Sequence, residues 1–254
     1  MRYDKVRIND SCGYVLPIAD VHIGDNCFCG GGRNLLKSNI EWVKNTPNAR
    51  VFLLGDILNV ATRTSKSSPF NQNLSLKDQI EEAVKLFLPI KSQIVGAISG
   101  NHEQRLIDIC GYDPTISICH QLDIKYYSYS AVINFVVGKG QRRLSYVFYF
   151  HHTTGGGGSV GSKINRIDKL RELVTNCDCY VGGHNHQLAA VPVTTRVVDT
   201  KHDKIHILRQ LLVDSGSYLS WDDNYPEKMQ LKPTKLGSPR IRIDSGKRDI
   251  HCSI

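Results

Sequence analysis

Five largely apolar runs, each leading to a polar residue that can bind metal or catalyse, constrain this chain more than any other feature. The run at 14–19 stops at Asp20, 51–54 at Gly55-Asp56, and 94–98 at Ser99-Gly100-Asn101-His102. The run at 146–150 stops at His151-His152, and 177–181 at Gly182-Gly183-His184. Short, bounded, Val/Ile/Phe/Tyr-rich runs of this kind read as buried strands. Helical patterns lie between them. Leu76, Ile80, Val84 and Phe87 share one helical face, behind Ser75 and Asp78 placed as a capping box. Ile164, Ile167, Leu170 and Val174 line a second face, and a third helix is expected over about 34–43. Strands alternating with helices predict an α/β fold. Segments 126–138 and 143–152 (joined by Gly138-Lys-Gly140), and 187–199 and 204–214 (turning at 200–203), read as hairpins, so the sheets are expected to be mixed.

A chain of 254 residues can bury one large core, and neither an internal repeat nor a linker divides it. From Lys228 onward periodicity fades, and seven Lys/Arg stand against two Asp. The expectation is a motif-bearing domain over 1–227 and a basic tail over 228–254, packed on it or extending from it. The net charge of +8 hints at a polyanionic partner. No apolar run approaches the ~20 residues of a membrane-spanning helix, and the N-terminus carries no signal-peptide core. Eight Cys are too few for a disulfide scaffold, and the pairs Cys27/Cys29 and Cys177/Cys179 lack the CxxC spacing of zinc ribbons. Reduced thiols, a cytoplasmic location and no membrane partner are therefore expected.

The strand ends supply seven metal-type donors: Asp20, His22, Asp56, Asn101, His152, His184 and His186. Carboxylate, imidazole and amide oxygen together suit divalent metals of intermediate hardness. In an extended backbone i and i+2 point the same way, which would aim Asp20 with His22, and His184 with His186, at one place. The glycines before Asp56, Asn101 and His184 would let the chain turn there. Seven donors exceed what one ion takes, whereas two ions sharing Asp56 would use them all. A pair of ions suits displacement at phosphorus.

In this order, DVH, GD, GNHE, a later His and GHNH resemble the calcineurin-like metallophosphoesterases, over positions 14–217. GHNH resembles the prokaryotic and phage-like members near the DNA-repair nucleases more than the Ser/Thr protein phosphatases, whose signature after GD is missing here. The resemblance implies two mixed β-sheets packed as a sandwich flanked by helices, α/β/β/α. It implies two divalent ions, Mn²⁺ foremost, with Fe, Zn²⁺, Ni²⁺ or Mg²⁺ as alternatives. Asp20, His22, Asp56 and His186 would hold one ion, and Asp56, Asn101, His152 and His184 the other. His152 is chosen over His151 because His152-Thr-Thr-Gly-Gly-Gly fits the family's pattern. His102 would be the acid beside the leaving oxygen.

The function implied is hydrolysis of a phosphoester, most of all a nucleic-acid phosphodiester in DNA or RNA. A phosphatase acting on a small monoester, nucleotide or phosphoprotein is the alternative, and a non-catalytic scaffold the second. Asn59 stands where other members carry a residue that supports the catalytic His, and an amide there could bond His102 or a phosphate. Arg105 reads either as a clamp for a phosphate oxygen or as a helix-surface Arg. Gly155–Gly158 reads as an anion-binding loop or a flexible turn. Ser215-Gly216-Ser217 with Tyr218 reads as cleft rim, and Trp221 as packing.

Overall fold

The computed structural model describes residues 1–63, 65, 69–155, 157–221, 227 and 232–254. Parts of the expected loop at 59–73, of the glycine run at 155–158 and of the segment around Lys228 lie outside these residues.

Among the described residues eleven strands form two sheets. One contains β2 (Cys12–Ile18), β3 (Ala49–Leu54) and β4 (Ile94–Ile98), mutually parallel, with β10 (Arg240–Asp244) antiparallel beside β2 and β11 (Ile250–Ser253) antiparallel beside β10 at the edge. The other has the order β1 (Arg2–Ile8), β5 (Ser130–Lys139), β6 (Arg142–His151), β7 (Cys179–Gly182), β9 (Lys204–Ser215) and β8 (Leu188–Asp199). In it β5 pairs antiparallel with β6 and β8 with β9, while the remaining pairs are parallel. Both sheets are mixed, as expected.

The apolar side chains sort into three layers. Val15, Phe52, Leu54, Ile98 and Ile241 of one sheet meet Ile133, Phe135, Phe148, Phe150, Val181 and Val213 of the other in the centre of the sandwich. Phe52 stacks on Phe150 at 4.2 Å, and Phe135 meets Phe148 edge-on. Each such ring contributes roughly 1.5–3 kcal/mol by leaving water. Leu16, Val51 and Leu53 face outward onto α1 (Gly31–Lys44), α2 (Leu76–Phe87) and α4 (Pro114–Leu122). Tyr149, Tyr180 and Leu212 face α5 (Val160–Leu173). The order helices, sheet, sheet, helix is the α/β/β/α sandwich. The continuous apolar run 51–54 follows from this, because β3 is covered on both faces.

Helices α2 and α5 begin where a serine caps them. Ser75 accepts from the Asp78 N–H at α2, and Ser159 from Ser162 at α5. The β5–β6 turn falls at Gly140-Gln141, overlapping the end of the expected Gly138-Lys-Gly140 junction. The segment from Lys228, which lacked visible periodicity, contains β10 and β11. Among the described residues no helix is long and apolar enough to cross a membrane.

Candidate metal centre

All five motifs lie just past the C-terminal ends of strands, on one rim of the sandwich, the usual ligand side of parallel sheets. Main-chain bonds lace the loops together. Asp20 N–H donates to the Gly55 carbonyl, and His22 N–H to that of Asp56, both at 3.1 Å. His152 Nδ1 donates across the sandwich to the Leu54 carbonyl at 2.8 Å, tying β6 to β3. The Asp20 carbonyl in turn accepts from Tyr218 N–H and Ser217 Oγ, each at 3.1 Å.

The backbone that aims the donors is not extended. Asp20, His22, Asp56, His184 and His186 all have positive φ, between 50° and 75°. Residues with side chains rarely adopt this region, and it persists only where tertiary contacts enforce it. The i, i+2 expectation therefore reached Asp20 with His22 by the wrong geometry, whereas His184 and His186 fall in different donor groups. Of the glycines, Gly55 does turn with φ +84°, but Gly100 has an ordinary φ. Gly100 is needed for room instead, since a Cβ there would lie 2.1 Å from Asp56 Oδ1.

Three donor groups result, each with ligand atoms within 4.8 Å of one another: Asp20, His22 and His186; His22, Asp56 and His102; Asp56, His152 and His184. Asp56 and His22 each belong to two groups. Asn101 Oδ1 lies 3.1 Å from His152 Nε2 and joins the last group. His22 Nε2 lies 3.2 Å from His186 Nε2, which lies 3.1 Å from Asp20 Oδ1. His152 Nε2 lies 3.4 Å from Asp56 Oδ2. The structure thus brings together all seven donors named from the sequence. His151 remains in β6, opposite Ser130, with its ring against Tyr149.

Both buried carboxylates are divided in the same way. Asp56 Oδ1 accepts from His102 N–H at 2.8 Å, and Asp20 Oδ2 from His184 N–H at 2.9 Å. Their other oxygens, Asp56 Oδ2 and Asp20 Oδ1, are buried without a hydrogen-bond partner and face imidazole nitrogens. A buried bare carboxylate oxygen is costly unless a cation meets it.

Electrostatics agree. Burial pushes the Asp56 carboxyl up, but His152, His102 and His22 together outweigh it and hold it well below the carboxylate range. Burial pulls His152 down, yet Asp56 and Asp20 raise it to about 10. Burial, reinforced by His102, leaves His22 well below the ordinary imidazole value. Such a cluster takes up either protons or metal ions, and ligation requires neutral imidazoles. The outer partners fix the tautomers: His152 Nδ1–H on Leu54, and His184 Nε2–H on the Gly155 carbonyl at 3.1 Å, leave the other nitrogens toward the centre.

His102 donates from Nδ1 to the main-chain carbonyl of Asn59 at 2.5 Å. The support expected from the Asn59 side chain thus comes from its backbone, and Asn59 Nδ2 is buried without a partner. Arg105 is half-buried rather than on the surface. Its Nη1 donates to the Asn59 and Val60 carbonyls, each at 3.3 Å, and stands 3.2 Å from His102 Nδ1.

Glu103, unassigned from the sequence, organises the site. Its carboxylate accepts from Asp56 N–H (3.0 Å), Leu58 N–H (2.9 Å) and Gly100 N–H (2.9 Å), joining the β3 loop to the start of α3 (Asn101–Cys110). Burial and the nearby Asp56 raise it to about 7. The clue was its place in GNHE, where a Glu three residues after Gly100 reaches back to the start of the helix.

Fold and site define a two-sheet α/β/β/α protein with a histidine–carboxylate cluster at the joined sheet rims. No protein-family model and no curated protein matches the chain. Similar solved structures include a Streptococcus pneumoniae protein described as a phosphoesterase by prediction, 13% identical, covering 95% of this chain and 88% of that one with TM-score 0.38. A second is the calcineurin-like phosphoesterase YfkN from Bacillus subtilis, at 11% identity, 96% and 90% coverage and TM-score 0.41. A third is nuclease MPE from Pseudomonas putida, at 15% identity, 89% and 83% coverage and TM-score 0.38. At these values no activity passes from them to this chain.

Proposed function

We propose that the chain is a calcineurin-like, metal-dependent phosphoesterase whose substrate is a phosphodiester, foremost in nucleic acid. The observation that carries this is the division of Asp20 and Asp56, each with one oxygen fixed by a backbone N–H and one bare oxygen facing imidazoles. The donors fit two divalent cations. Asp20, His22, His186 and Asp56 would hold one, and Asp56, Asn101, His152 and His184 the other. Bound there, such ions lower the pKa of a water and offset the charge that develops on the phosphate.

The chain's own residues do the rest. Nδ1 of His102 is occupied by the Asn59 carbonyl, so Nε2, 3.8 Å from Asp56 Oδ2, is the nitrogen that passes a proton to the leaving oxygen. Glu103 holds the Asp56 loop against α3, so Asp56 meets the site with its orientation already set. The surplus of Lys and Arg supports a polyanionic substrate.

The test strips the protein of metal, reloads it with Mn²⁺, Fe²⁺, Zn²⁺, Ni²⁺ or Mg²⁺, and assays bis-p-nitrophenyl phosphate against p-nitrophenyl phosphate. Two bound ions per chain and diester hydrolysis, best with Mn²⁺, are expected. Preference for the monoester would make it a phosphatase. Bound metal without hydrolysis of either would make it a scaffold.

A further inference from the structure

A group of cations lies beside GHNH that the metal centre does not use. Lys163 and Arg166 sit one turn apart in α5. Arg166 Nη1 donates to Asn185 Oδ1 at 3.3 Å and to the Gly155 carbonyl, which also accepts from His184. Lys232 is two residues from Thr234, whose hydroxyl donates to the His186 carbonyl at 2.9 Å. Asn185 and His186 are therefore each touched by one of the two segments that carry these cations, and His184 shares the Gly155 carbonyl with Arg166.

Lys163 lies within electrostatic reach of both Arg166 and Lys232. Among the described residues neither Lys163 nor Lys232 forms an ion pair. The carboxylate facing Lys163 is Asp214, fully buried and shifted by burial toward its neutral form, so it offsets little of the charge. Two lysines brought near one another without an ion pair among the described residues cost free energy that an anionic ligand recovers.

We propose that Lys163, Arg166 and Lys232 hold a phosphate adjoining the one hydrolysed, so that the substrate is a nucleic-acid strand rather than an isolated phosphoester. This deepens the phosphoesterase reading and rests on it. The arrangement places a second anion subsite on the His184–His186 side of the metal centre, and a strand with one phosphate on the metals would lay its neighbour there.

The experiment measures binding, not only turnover. Fluorescent oligothymidylate and oligouridylate of about 12 nucleotides, within the span one strand-binding site covers, are titrated with the full chain in EDTA at several salt concentrations. Lys163→Gln/Lys232→Gln is expected to weaken binding about tenfold. It should also reduce the slope of log K against log salt by about 1.4, since each lost contact to a single strand removes roughly 0.7. Hydrolysis of bis-p-nitrophenyl phosphate by the metal-loaded variant should stay within about twofold of the parent. Lys163→Arg/Lys232→Arg should keep the parent's affinity. Lys139→Gln/Arg143→Gln, at the far end of the β5–β6 hairpin and about 30 Å along the strands, should change nothing.

Unchanged affinity and salt slope in the Gln pair would overturn the proposal. So would an equal loss in the hairpin control, or no oligonucleotide binding by the parent while bis-p-nitrophenyl phosphate is hydrolysed. Failure of that hydrolysis with every metal would instead strike the phosphoesterase reading, and the binding curves would still decide for or against the strand site.

Discussion

The main-chain carbonyl of Asn59 lies 2.5 Å from Nδ1 of His102, so the backbone, not a side chain, orients the proposed acid. Two substitutions separate these contributions. His102→Ala is expected to cut kcat by about 10²–10⁴-fold, the usual yield of a positioned acid or base, with metal content unchanged. Asn59→Ala keeps the carbonyl and removes only an unpartnered amide, so kcat should fall less than about tenfold. Steady-state kinetics with elemental analysis of the same samples checks both. Equal losses in the two variants would mean that the Asn59 side chain takes part.

Asp56 is shared by two of the three donor groups and supplies both a fixed and a bare oxygen. Asp56→Asn retains an acceptor for His102 N–H but loses the charge. Bound metal is expected to drop by at least one ion per chain, with diester hydrolysis falling to background. Full metal occupancy in this variant would remove Asp56 from the bridging position.

Glu103 supports its neighbours through three backbone N–H bonds while almost wholly buried. Glu103→Gln puts an amide donor where one oxygen accepted, leaving a buried N–H without an acceptor. A loss of about 1–3 kcal/mol is expected, the usual cost of such a group. Urea unfolding of the metal-free protein reads it, and an unchanged midpoint would show that the loop does not depend on this carboxylate.

Much of this site was legible in the sequence because each donor follows an apolar run, and burial forces such runs to be strands. Asp56 follows 51–54 because β3 is covered on both faces. The left-handed backbone at Asp20, His22, His184 and His186 was not legible. Nothing in DVH or GHNH specifies φ, which is imposed by bonds from distant loops such as Gly55 to Asp20 and Asp20 to His184. Asp214 escaped notice for a related reason, since only the fold makes it fully buried.

Asp214 gives a pH dependence of known sign. Both its oxygens lack a hydrogen-bond partner, burial raises its pKa well above the ordinary value, and the neighbouring Asn185 amide only partly opposes this. The folded chain therefore keeps a proton that the unfolded chain releases near pH 4. Stability from this group is lost as pH rises from there toward the folded pKa. Asp214→Asn does not titrate, so its stability relative to the parent should climb as pH rises above about 4. Urea midpoints in EDTA measure this, and a flat difference would show that Asp214 is ionised in the fold.

The C-terminal segment invites the idea that residues 236–254 could be removed to weaken polyanion binding while sparing hydrolysis. The structure argues against it. Ile241 and Ile243 alternate with Arg240 and Arg242, a period of two confined to five residues, and both isoleucines are fully buried in β10. Ile241 packs among Val15, Phe52 and the other side chains between the sheets. β10 also covers the edge of β2, the strand that leads to Asp20 and His22. Deleting 236–254 would strip that edge and open the core, so hydrolysis and binding should fall together with loss of cooperative unfolding. Ile241→Ala alone should cost about 2–5 kcal/mol, the range for emptying a buried isoleucine site. A truncated chain that melts cooperatively near the parent's Tm and retains diester hydrolysis would show instead that the strand is dispensable.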